Sequence, residues 1–204
     1  MKKIVKIGIV LLFIAAMSSH LHADVAGDVS AGLSMNVVIQ NALSAGLTFE
    51  QAVKQAIQAG APLDAVIRAA LQAGAPVASV VSGALQAGVP VASVVAAAIN
   101  AGASPITVVS SALAAGASAA IVVETAVRIA PSDQDINIVR TAIDMGASSI
   151  VVDAAALRGG ATQAAIDQGE AQARVDIANR MQIGQGTPPP TPPTGPYVPA
   201  SGSK

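Results

Sequence analysis

A glycine preceded by alanine recurs at Gly46, Gly60, Gly74, Gly88, Gly102 and Gly116, and this even 14-residue spacing limits the fold more than any other feature of the chain. The segments between these glycines align without gaps: APLDAVIRAALQAG at 61–74, APVASVVSGALQAG at 75–88 and VPVASVVAAAINAG at 89–102. An earlier copy begins near Leu33, the register slips by two residues at PSDQD, and the pattern resumes through Gly146 and Gly160, giving about nine units. A short, well-kept period means that one small structural unit is stacked repeatedly, because no single unit can bury its own apolar face.

The unit reads as one helix. Counted from the residue after the glycine, positions 3, 6, 7, 10 and 11 are apolar, which is the stripe of an amphipathic helix; in one copy these are Phe49, Ala52, Val53, Ala56 and Ile57. Position 2 is Thr48, Ser104, Ser118, Ser148 or Thr162, all N-cap residue types, or else Pro62, Pro76 or Pro90, which is tolerated where a helix begins. Thr48 with Gln51 has the spacing of a capping box. The glycine stops the helix because the chain turns there with positive φ, at little cost to a residue without Cβ. The Val-Val pairs such as Val80-Val81 favour strands, but the alternation of a half-buried strand is absent. Helix is the reading that cap, stripe and glycine share.

Position 10 is alanine in every copy: Ala42, Ala56, Ala70, Ala84, Ala98, Ala112, Ala126, Ala142 and Ala156. A small residue in mid-stripe lets neighbouring helices approach closely. Ten helical residues make a rod of about 15 Å, too short to stand alone. Burying a large apolar side chain yields about 1.5 to 3 kcal/mol, while ordering each residue's backbone costs about 1 to 2 kcal/mol. Contacts between units must supply the difference. The expectation is therefore an all-α, short-repeat helical solenoid of about nine units. Without a visible 28-residue alternation, single equivalent helices wound as a screw are expected rather than distinct hairpins. The AGAP string at 73–76 is similar to the turn of ankyrin repeats, but their period of about 33 residues and their TPLH motif are absent, so no family is assigned.

The ends differ from the middle. Lys2, Lys3 and Lys6 precede an apolar run from Ile7 to Met17, and Leu21-His22-Ala23 supplies a cleavage site, so residues 1–23 read as a signal peptide. Residues 24–32 form a short lead-in, 33–181 the helical repeat domain with a more charged capping helix at its end, and 182–204 a Pro-rich tail expected to be extended and disordered. Export places the protein in the periplasm, on the cell surface or outside the cell. Cleavage would remove His20, His22 and three lysines, leaving eight basic against twelve acidic residues and a net charge of −4.

The chain has no Cys, and without the leader no His, so thiol nucleophiles, Ser-His pairs and the usual zinc ligands are missing. Neither charge nor motif suggests nucleic acid. No catalytic residue and no cofactor is expected. The one metal-like string is Asp133, Asp135, Asn137 and Asp144, at positions 1, 3, 5 and 12 of a calcium loop. It carries Ile138 where such loops need glycine and lacks the final Glu; the plainer reading is a set of acids that favours the start of the next helix. Asp64 and Arg68 read as a surface ion pair at i, i+4.

From Ala69 to Val123 there is no charged residue. The polar positions there, Ser79, Ser82, Gln86, Ser93, Asn100, Thr107, Ser110 and Ser111, are the candidate interaction residues. An uncharged patch on a repeat protein marks a contact surface, so the expected partner is a second copy or another exported protein. Solvation of an Ala-rich surface by Ser and Gln is the plain alternative, and membrane contact is the weakest reading because the glycine turn in every unit breaks any span. A non-enzymatic structural protein, self-associating in the envelope or matrix, is the favoured function. A monomeric scaffold is its rival, and a surface- or ice-binding role a more distant one.

Overall fold

The computed structural model describes residues 24–184. The expected signal peptide, residues 1–23, and most of the expected Pro-rich tail lie outside the described residues. Helices α1 (Val25–Ser30), α2 (Met35–Ser44), α3 (Phe49–Gln58), α4 (Leu63–Gln72), α5 (Val77–Gln86), α6 (Val91–Asn100), α7 (Pro105–Ala114) and α8 (Ala119–Ile129) are followed by a 3-10 turn (Ser132–Gln134) and then α9 (Asp135–Asp144), α10 (Ser149–Gly159) and α11 (Gln163–Gly184). All regular structure among the described residues is helical, and the short helices pack in series.

Each helix ends for a chemical reason. Gly46, Gly60, Gly74, Gly88, Gly102, Gly116 and Gly146 have φ between 82° and 94°. The residue after each glycine donates its N–H to the carbonyl of the position-10 alanine, as in Leu47 to Ala42 at 3.0 Å and Ala61 to Ala56 at 3.0 Å. This is the Schellman closure that left-handed glycine permits. The constant spacing of the alanine and the glycine is thus one motif. Where Ala130 and Pro131 replace it, α8 ends in extended backbone instead, which accommodates the two-residue slip.

The starts are less uniform than the sequence suggests. Thr48 makes the full capping box, accepting from Gln51 N at 3.2 Å while its own N donates to Gln51 Oε1 at 3.0 Å. Thr162 Oγ1 accepts from Ala165 N at 3.2 Å. Ser104, Ser118 and Ser148 occupy the cap position but make no side-chain cap bond. The short lead-in holds α1, whose cap is Asp24 accepting from Gly27 N at 2.8 Å.

Positions 6, 7 and 10 form the core. Val66, Ile67 and Ala70, with their equivalents Val80, Val81 and Ala84 or Val94, Val95 and Ala98, are fully buried. Positions 3 and 11, such as Leu63 and Leu71, are only half-buried and pack on the rim of that core. Position 9 is an addition to the expected stripe: Ala69, Gly83, Ala97, Ser111 and Thr125 are buried.

Position 9 is small because every helix touches not only the next helix but the next but one. A Cβ on Gly83 of α5 would lie 2.5 Å from the Glu50 carbonyl oxygen and 3.2 Å from Val53 Cβ of α3. A Cβ on Gly169 of α11 would lie 2.9 Å from the Ile136 oxygen and 2.8 Å from Val139 Cγ1 of α9. Both glycines are at position 9, and both meet positions 4 and 7 of the helix two before. The contact is the same at two distant places in the array, so alternate helices keep a common register.

The first and last units deviate, at α2, α10 and α11 because a next-but-one neighbour is missing among the described residues, and at α3 because the helix two before it, α1, is only six residues long. Position 9 is Asn41 in α2 and Gln55 in α3, both exposed, and Asn41 Nδ2 donates to Asp28 Oδ2 at 2.8 Å. Position 7 is Ile or Val, wholly buried, from Ile39 to Val139, but Asp153 in α10 and Asp167 in α11. The exposed Asn41, Gln55 and Asp167 solvate faces that apolar side chains would leave wet.

Candidate interaction surface

The next-but-one contacts sort the helices into two series, odd-numbered and even-numbered, and this decides where the candidate residues lie. Ser79, Ser82 and Gln86 are on α5, and Thr107, Ser110 and Ser111 on α7, all in the odd series; Ser93 and Asn100 are on α6. Ser79, Ser82 and Ser111 line one shallow groove with Glu50, Ala78 and Ala114, across α3, α5 and α7. Ser111 itself is buried at position 9. Gln86, Ser93, Asn100 and Thr107 are exposed, and Ser79, Ser82 and Ser110 partly so.

Several of these polar groups are already engaged. Gln86 Nε2 donates to Ser82 Oγ at 3.1 Å and to the Glu50 carboxylate. The Ser110 hydroxyl donates to the Thr107 carbonyl at 3.1 Å. The groove of the odd series is therefore internally satisfied in part, with fewer free donors than composition suggests.

Position 5 distinguishes the two series. In the odd helices from α3 to α9 it is Gln51, Ser79, Thr107 and Asn137, all polar. In the even helices it is Val37, Ala65, Ser93, Ile121 and Val151. Val37 is 44% exposed, Ile121 44% and Val151 41%, and the neighbouring Ile150 reaches 79%. Large aliphatic side chains thus stand exposed at position 5 of α2, α8 and α10, with the small Ala65 and the polar Ser93 between them. Alignment on the 14-residue unit averages over position 5 and hides this row; alignment on pairs of units reveals it.

Charged residues gather at the two ends of the array. Glu124 accepts from Arg158 Nε at 2.9 Å and from Arg128, so one carboxylate bridges α8 and α10. The hydrogen bond from Arg158, with the charge of both arginines, holds its carboxyl below the usual range. Arg180 Nη2 donates to Asp144 Oδ1 at 2.7 Å, and Arg140 lies 3.6 Å from Asp176, tying α9 to α11. Asp64 and Arg68 do not form the expected pair: no ion pair of either is present among the described residues.

The structure does not bring the calcium-like residues together. Asp133 is exposed in the 3-10 turn, and Asp135 is buried in the first turn of α9. Asn137 lies within that helix, and Asp144 ends it, held by Arg180. Nine residues of helix separate Asp135 from Asp144 by about 13 Å. A calcium loop must curl around its ion, and a straight helix cannot. Among the described residues no group of three or more acidic side chains is placed to share a cation.

Two carboxyls are pushed up. Burial raises Asp135, with Asp133 adding to the effect; burial also raises Asp153, where Glu170 and Asp167 of α11 oppose its ionisation. Asp135 Oδ1 and Asp153 Oδ1 are both out of solvent without a hydrogen-bond partner. Each sits where the array departs from its repeat, at the slip and at the last units.

No protein-family model matches the chain, and no curated protein matches it significantly.

Proposed function

We propose that the protein is an exported, non-enzymatic structural or interaction protein, built as a solenoid of about nine 14-residue units whose helices alternate between two series rather than being equivalent, and that it self-associates in the cell envelope or extracellular matrix. The observation that carries this reading is the uncharged stretch from Ala69 to Val123, which gives α5, α6 and α7 only small apolar and uncharged polar residues at their outward positions. A surface that only has to stay dissolved carries mixed charges. One that forgoes them over three repeats is suited to contact. No helix of the described residues is long and apolar enough to cross a membrane.

Size-exclusion chromatography with light scattering, across a hundredfold range of concentration, tests the proposal. Mass that grows with concentration supports self-association. A constant monomer mass refutes it and favours the monomeric scaffold, for which the groove lined by Glu50, Ser79, Ser82 and Ser111 is the seat to mutate.

A further inference from the structure

We infer that residues 185–204, which follow α11, turn back over the end of the even series and dock on the uncovered face of α10, with Tyr197 and Val198 against Ile150 and Leu157. The packing inside the array defines that face. Gly83 and Gly169, at position 9, sit on positions 4 and 7 of the helix two before. Position 13 makes the matching contact one turn on: a Cβ on Gly159 of α10 would lie 2.8 Å from the Glu124 carbonyl oxygen and 2.8 Å from Val127 Cβ, at positions 8 and 11 of α8. Positions 4, 7, 8 and 11 of a helix therefore receive the helix two later. In α10 these are Ile150, Asp153, Ala154 and Leu157. No later helix among the described residues covers them, since α11 packs mainly on α9. Ile150 is 79% exposed, whereas Ile106 and Ile136, at the same position of α7 and α9, are half-buried. Leu157 is 50% exposed, whereas Leu71, Leu85, Ile99 and Leu113, its equivalents, are half-buried.

Three observations choose the occupant. The first is a contrast between the two last helices. α11 also lacks a next-but-one neighbour among the described residues, but its positions 4, 7, 8 and 11 are Ala164, Asp167, Gln168 and Ala171, small or polar and all exposed. α10 keeps large aliphatic residues at positions 4 and 11, as a covered helix does. The second is chain order: throughout the array the segment that follows a helix returns over the helix before it, and the segment that follows α11 is 185–204. Its seven prolines exclude another repeat helix, and an extended chain offers proline rings and the Tyr197 ring to an apolar face. Tyr197 stands 13 residues beyond Gly184, a span of about 40 Å at about 3.1 Å per residue. That is enough for the return, because α11 overshoots position 14 by ten residues, about 15 Å, and neighbouring helices are about 8 to 10 Å apart. The third is charge. Asp153 has Glu170 and Asp167 of α11 beside it, and its Oδ1 is an acceptor without a partner. The first helix of a second copy would add Asp24 and Asp28 to these acids, and like charges across an interface are penalised. Residues 185–204 carry no acidic side chain and one lysine, Lys204, and their backbone N–H groups can donate to Asp153.

Tyr197 is the only tyrosine and the chain has no tryptophan, so tyrosine fluorescence reads its surroundings without a label. Acrylamide quenching is measured on the full chain purified after export, over a range of protein concentration, and on a synthetic peptide of residues 185–204. Helical circular dichroism checks that each variant is folded. The expected result is Tyr197 quenched at least twofold less efficiently in the protein than in the peptide, at every concentration. Ile150→Gln and Leu157→Gln, both at exposed positions, raise quenching toward that of the peptide, and Val37→Gln, at an exposed aliphatic of α2, leaves it unchanged. Equal quenching in protein and peptide overturns the docking. Protection that survives both α10 substitutions overturns the choice of face. Protection that disappears on dilution places Tyr197 on a second copy and overturns docking within the chain.

Discussion

Gly83 lies inside α5, where glycine is the poorest helix former after proline, so Gly83→Ala should stabilise the helix by about 1 kcal/mol on propensity alone. The structure predicts the opposite sign. The added Cβ would stand 2.5 Å from the Glu50 carbonyl oxygen and 3.2 Å from both Glu50 Cα and Val53 Cβ. Real Cβ atoms essentially never come within 3.0 Å of another heavy atom in this way, and the obstacle is backbone, so α5 and α3 must part by half an ångström or more. Overpacking of this kind costs about 1 to 3 kcal/mol, and the net effect expected is a loss of up to about 2 kcal/mol. Gly60→Ala is the contrasting case: nothing lies within 4 Å of the added Cβ, but φ is +88°, so the cost of about 1 to 2 kcal/mol is purely conformational. Urea unfolding followed by circular dichroism reads both, with the dependence on denaturant compared to check that the transition stays cooperative. Stabilisation of Gly83→Ala by about 1 kcal/mol would refute the close next-but-one contact on which the packing account rests.

Thr48→Ala removes the only full capping box found among the described helices and should cost about 1 kcal/mol, whereas Ser104→Ala, at a cap without a side-chain bond, should change stability by less than about 0.5 kcal/mol; equal losses in the same unfolding assay would contradict the capping geometry. Ile67→Ala empties a fully buried site between α4 and its neighbours and should cost about 2 to 5 kcal/mol, with a change below about 1 kcal/mol counting against a packed core there. Asp153, raised by burial and by Glu170, holds its proton more tightly in the folded than in the unfolded chain. Its contribution is therefore fully present below the unfolded carboxyl pKa and is lost as pH rises through the raised folded value. Asp153→Asn should flatten that part of the pH dependence of melting, and an unchanged profile would show that Asp153 is not the group responsible.

Much of this architecture is legible in the chain because one motif is written many times. The alanine at position 10 and the glycine at position 14 are two ends of the same Schellman closure, so their spacing encodes both where each helix stops and what its last turn bonds to. Periodicity alone places Val66, Ile67 and Ala70 in the core. It does not place position 9, because the small side chains there, Ala69, Gly83 and Ser111, answer to the helix two before rather than to the amphipathicity of their own. The exposed row is hidden for the same reason. Val37 and Gln51 occupy one position of the 14-residue unit but face different neighbours, and only the pairing of alternate helices separates them. Ser104, Ser118 and Ser148 have the right identity for caps without the bond, since a cap depends on a rotamer that local sequence does not dictate. Asp153 reads as an ordinary polar residue until the array shows that its equivalents are buried valines and isoleucines.

The central claim is that the chain advances by one helix width for every pair of units. The absence of cysteine lets it be tested with pairs of spin labels. Gln40, Ala96 and Ala154 occupy position 8 of α2, α6 and α10, so Ala96 and Ala154 lie two and four next-but-one steps from Gln40 along the even series. Double electron–electron resonance on Gln40→Cys with Ala96→Cys, and on Gln40→Cys with Ala154→Cys, diluted with unlabelled protein, reads the two distances directly. At about 8 to 10 Å per step, the account predicts roughly 16 to 20 Å for the first pair, broadened by the labels, and close to twice that for the second. Two similar distances, or a second no longer than the first, would contradict a serial array of alternate helices.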